Sequence, residues 1–229
     1  MATRFTSSFI PTLHYFAQRL SEPSLAADLG PHAKALAALE HQLSTLSVDV
    51  DEAKRSVRVA HESVRVASTA VDATLRSLSV AFVASTGAPL DHPFGVGEPT
   101  PSTLRRLRPA AKAGKLRGVL QGRSGGSPAI VAAVAQTLAA IVALEHALDV
   151  ATAAENAKAL LVQKRNAVAA EAHTSVLAIK AYATLTHRNR PEATFLHRVP
   201  SLVRKGRRVR TKDADPSPPT GDKPVNPTA

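Results

Sequence analysis

Apolar residues between Leu36 and Ala81 step by three and four without a slip. They are Leu36, Leu39, Leu43, Leu46, Val50, Ala53, Val57, Ala60, Val64, Ala67, Val71, Thr74, Leu78 and Ala81. A repeat of 3.5 residues is the mark of a seam between two helices that wind around each other. If Leu36 is position a, the a series is Leu, Leu, Val, Val, Val, Val, Leu, while the d series fades from Leu to Ala and Thr. Small d residues allow a close partner but bury little area per layer. Pro31 after Gly30 suits the first turn of a helix, and Gly87 after Thr86 suits its end. The prediction is one helix over 31–86, about 80 Å long at 1.5 Å per residue.

A second pattern starts at Gly125-Gly126-Ser127-Pro128, where Ser127 is a good N-cap and Pro128 a good first residue. Ile130, Val134, Thr137, Ile141, Leu144, Leu148 and Ala151 keep the alternation. Glu155 and Lys158 then fall on the seam, and it resumes through Val162, Ala169, Ala172, Val176, Ile179 and Ala183. A second long helix over 127–188 follows, with a register shift or loosened seam near 152–166. The two helices share an echo: ALEHQL (38–43) matches ALEHAL (143–148) at five of six places, 105 residues apart. Each helix is followed by a Pro-Ser step and a basic run, PSTLRRLR from Pro101 and PSLVRKGR from Pro200. We read this as a duplicated unit of long helix, turn and basic arm.

The remaining segments are shorter. Residues 1–30 predict a short amphipathic helical segment with a stripe of Phe5, Phe9, Leu13, Phe16 and Leu20, interrupted at Pro11. An organellar transit peptide is the alternative for the first 21 residues, which hold Arg4, Arg19 and no acid. Residues 87–126 form a Pro-rich connector carrying one basic island, 189–212 a basic arm, and 213–229 a Pro-rich tail expected to be disordered. The expected fold is therefore all-α. Two long heptad-patterned helices pack as an antiparallel coiled-coil-like hairpin or bundle, with irregular basic arms. A parallel arrangement stays open, because the connector is long.

Composition narrows the chemistry. Cysteine and Trp are absent and aromatics make up 3% of the 229 residues. That excludes disulfides, thiolate metal sites and thiol nucleophiles. The nine His form neither HExxH nor the Glu-x-x-His pair of di-iron bundles; His41 and His61 fall on solvent positions. GRSGG (122–126) lacks the strand and Gly spacing of a nucleophile elbow, and no P-loop is present. No uninterrupted apolar run reaches the ~18–20 residues of a membrane span. The expectation is a non-enzymatic protein with no cofactor, metal or small-molecule substrate, placed in the cytoplasm or on a nucleoid or nucleus.

Charge supplies the functional expectation. Residues 33–86 and 127–186 each sum to zero, whereas 100–126 carries +7 and 187–212 carries +8, against +11 for the chain. The first island holds Arg105, Arg106, Arg108, Lys112, Lys115, Arg117 and Arg123. From the second, we take Arg198, Arg204, Lys205, Arg207, Arg208, Arg210 and Lys212. Arginine grips phosphate bidentately, and flexible basic arms on a neutral frame suit a polyanion held by counterion release. Only Phe94 and Phe195 lie near the islands, which disfavours base stacking. The expected partner is nucleic acid or another polyanion, bound through its backbone, with a homo-oligomer formed through the heptad seam. The alternative is a scaffold whose arms are solvated or touch an acidic protein. A membrane surface is a third option, and RKGRRVR (204–210) is also a possible nuclear address.

Overall fold

The computed structural model describes residues 4–5, 9–89, 92–95, 97–121, 126–186 and 203–204. Its elements are β1 (Arg4–Phe5), α1 (Phe9–Leu20), α2 (Pro23–Thr86), α3 (Pro101–Arg106), α4 (Pro109–Leu120), α5 (Pro128–Thr186) and β2 (Val203–Arg204). Among the described residues the protein is all-helical except for a two-residue antiparallel ladder, in which Arg4 faces Arg204 and Phe5 faces Val203. Two long helices, α2 and α5, pack together and carry the shorter ones.

Two prolines sit differently from the sequence expectation. Pro11 does not interrupt α1. It is the third residue of that helix, where the backbone N–H has no intrahelical acceptor and its loss is harmless. Pro31 does not open α2, which starts eight residues earlier at Pro23 and runs through Pro31. An interior Pro costs about 3 kcal/mol. Leu25 and Leu29, both 0% exposed, extend the buried stripe backwards, and burying two Leu contributes about 3–6 kcal/mol. Burial therefore outweighs the broken hydrogen bond. At its other end α2 stops on Gly87, whose φ of 67° is left-handed and whose N–H donates to the Val83 carbonyl.

No seam position named for α2 is exposed: Leu36, Leu39, Leu43, Val50, Val57, Ala60, Val64, Val71 and Leu78 are buried, and the others are half-buried. Buried Leu75 and Phe82 widen the apolar face where a further helix docks. Contacts between α2 and α5 run in order. His32 meets the Tyr182 ring, His61 hydrogen-bonds Glu155 at 2.8 Å, and Ser85 hydrogen-bonds Ser127 at 2.8 Å. On α5 no residue is buried between Ala151 and Ala169. The sequence expects a loosened seam or register shift near 152–166, and this stretch without buried residues spans it.

The buried residues form two cores on either side of that stretch. One joins α1, the first part of α2 and the last part of α5, through Phe16, Leu29, Leu36 and Ile179. The other joins α4, the first part of α5 and the last part of α2, through Leu116, Ile141, Leu144 and Leu75. Each therefore has a 12-residue helix (α1 or α4) leading into a long one. The two echo motifs take matching places. Glu40 pairs with His14 of α1 at 3.3 Å, and Glu145 pairs with Arg117 of α4.

Candidate nucleic-acid interface

From Pro101 to Leu120 the first basic island is folded. This corrects the expectation of an irregular arm. Thr100 caps α3, its Oγ1 accepting from the Thr103 N–H at 3.2 Å, and Pro101 takes the first helical position. Leu104 is fully buried. The chain turns at Leu107, and Pro109 opens α4. There Lys112, Ala113, Leu116, Val119 and Leu120 face inward, recurring at the three- and four-residue steps of one helix face. Charge density hid this stripe: the residues between its apolar members are Lys, Gly and Arg.

Docking divides the island. Lys112 is 2% exposed, and its Nζ donates to Asp72 Oδ1 at 2.7 Å and Ser68 Oγ at 3.2 Å. An unpaired buried ammonium costs several kcal/mol, so this pair is what allows α4, which packs chiefly on α5, to bury Lys112 beside α2. The Arg117 guanidinium donates to Glu145 on α5. Both cations bind the frame; Lys112 is buried there, while the paired Arg117 side chain stays 43% exposed. Arg105, Arg106, Arg108 and Lys115 are exposed. Arg105 and Arg106 end α3 and Arg108 is the N-cap of α4, so three guanidinium groups lie within four residues at one corner. No side chain caps α4, leaving its positive dipole end beside them. No acid occurs from residue 99 to residue 144.

The other predicted residues fall elsewhere. Arg123, Arg198, Lys205, Arg207, Arg208, Arg210 and Lys212 lie outside the described residues, as does the tail at 213–229. Arg204 is described only as backbone in the two-residue ladder. Phe94 is buried edge-on against Phe82 at 5.6 Å, which removes it as a stacking platform; Phe195 lies outside the described residues. Ser127 acts as a cap, its Oγ accepting from the Ile130 N–H at 3.4 Å. Among the described residues no group of three His, Asp or Glu is placed to hold a metal ion. Each long helix contains an 18-residue window long and apolar enough, by composition alone, to cross a membrane. Both windows belong to helices that bury their seam residues on each other. No protein family, curated protein or solved structure matches this chain.

Proposed function

We propose that this chain is a non-enzymatic helical protein that binds nucleic acid through the phosphate backbone without sequence preference. In this reading α2 and α5 form an antiparallel coiled-coil-like hairpin, and the chain holds two copies of a duplicated unit of long helix, turn and basic segment. The corner between α3 and α4 carries the ligand-facing charge. The observation that supports it is the exposed group of Arg105, Arg106 and Arg108 around an uncapped helix start, with exposed Lys115 about two turns along the same helix. Guanidinium groups and helix N-terminal amides are both phosphate donors. The cations from Arg198 to Lys212 serve as a second contact region. Among the described residues no aromatic side chain is placed at the corner to stack on a base, so the contact is to a duplex backbone.

The second reading is a scaffold that assembles with itself or with an acidic protein. It is favoured by the pairing of Lys112 and Arg117 to the frame, since part of the island then serves folding. Replacing Arg105, Arg106, Arg108 and Lys115 with Gln separates the two. The nucleic-acid reading expects weaker binding to random duplexes, equal across sequences, and a salt slope shallower by about 1 for each phosphate left without its cation. Helicity by circular dichroism stays at the wild-type value. Unchanged affinity in a folded variant refutes the assignment of this corner and moves the contact to the cations from Arg198 to Lys212; no duplex binding by the wild-type chain favours the scaffold.

A further inference from the structure

Beside the seam, α2 carries a second stripe that nothing among the described residues covers. Val59, Val66, Ala73 and Val80 recur every seven residues, and Ser63, Ala70 and Ser77 fall between them. All seven are exposed, the three valines by 59–68%. None is charged. The stripe lies on the flank away from α4, which docks where Ser68, Asp72, Leu75 and Phe82 lie. It meets α5 in an open groove of about 680 Å³, floored by Ala67, Ala143 and Ala147 with Val59 and Val66 as one wall. Exposed apolar residues with coiled-coil spacing along a groove between two helices make a seat for further helices.

We infer that a second copy of this chain packs on this face, bringing two pairs of long helices together. Area favours this occupant. From Val59 to Val80 the stripe is about 32 Å long, and two adjacent helices present a face roughly 19 Å wide, giving about 600 Å² per copy, the lower end of the range for a stable interface. Chemistry favours it too. The stripe itself asks for an apolar, small and uncharged occupant, and within this chain the same stripe has that character; the one cation and one anion at the groove's edge, Arg58 and Glu62, are opposite in charge, as two copies facing each other can match. The 43 residues from 187 onward are basic and Pro-rich instead. The seam read from the sequence as the oligomer contact is filled by α5, so assembly must use another face. The inference is independent of nucleic-acid binding.

The test is the mass of the full chain by light scattering after size exclusion, using nuclease-treated protein at high salt so that nucleic acid cannot bridge copies. Twice 24.0 kDa is expected at the top of a dilution series from about 100 µM to about 1 µM, falling toward the single-chain mass if Kd lies in that range. V66E/V80E, at two exposed sites, is expected to stay monomeric throughout with unchanged helicity. The chain has no Cys, so A73C, near the stripe's centre, is expected to form a disulfide between copies on oxidation, while S44C, off the stripe, does not. The cysteine pair decides the matter if V66E/V80E loses helicity. A monomer at every concentration overturns the inference, whether or not it binds lipid vesicles or an added helical peptide. A dimer that survives V66E/V80E and is not crosslinked through A73C also overturns it.

Discussion

Removing either partner of the Lys112–Asp72 pair tests whether the first basic island is folded onto the frame, and the two removals have unequal consequences. The Lys112 side chain is 3% exposed and that of Asp72 27%. Asp72→Ala leaves an ammonium in a dry site with Ser68 as its remaining acceptor. Stranding a buried charge costs about 3–5 kcal/mol; relaxation of the flexible lysine stem toward water brings the expected figure to about 2–3 kcal/mol. Lys112→Met keeps the apolar stem and leaves a carboxylate that already reaches solvent, so about 1 kcal/mol or less is expected. The double variant should resemble Lys112→Met. Urea unfolding followed by circular dichroism measures all three. At about 2–4 °C per kcal/mol for a chain of this size, Asp72→Ala should lower Tm by roughly 5–10 °C and Lys112→Met by a few degrees at most. Equal, negligible losses for both single variants would falsify the docking of α4, and a larger loss for Lys112→Met would reverse the reasoning about exposure.

Four further outcomes follow from the fold. Pro31→Ala restores an N–H inside α2 at an exposed position, so it should stabilise the protein by up to about 3 kcal/mol in the same urea assay. Gly87→Ala places a Cβ on a left-handed residue at φ 67° and should cost about 1 kcal/mol, read as a lower Tm. Leu144→Ala, at 0% exposure in the second core, should cost about 2–5 kcal/mol. Leu185→Ala, at 83% exposure, should stay within about 0.5 kcal/mol of wild type.

The long helices were legible because their signal is repetitive: one apolar residue every three or four, sustained from Leu36 to Ala81, outlasts any local exception. The loosening near Glu155 and Lys158 was legible for the same reason, since charge on a seam position breaks the pattern. Helix starts were not. Gly30-Pro31 looks like a boundary locally, and only the burial of Leu25 and Leu29 under α1 carries the helix through it. The first island misled because charge was summed over a segment and not assigned to faces. Leu104, Leu116, Val119 and Leu120 held the helical signal, with Thr100-Pro101 and Arg108-Pro109 as starts. Leu75 and Phe82, off the main seam of α2, marked the surface that receives them. The partners of Lys112 and Arg117 lie 40 and 28 residues away, a pairing that no local pattern announces.

The most direct test of the central claim is the salt dependence of binding to a random-sequence DNA duplex, measured by fluorescence anisotropy on the full chain. With four exposed cations, three at the α3–α4 corner and Lys115 about two turns along α4, each neutralising one phosphate, log K should fall against log salt with a slope of about −3.6 or steeper. The slope should be the same for unrelated sequences. A shallow slope, a marked sequence preference, or no binding at low salt would contradict backbone recognition by this corner.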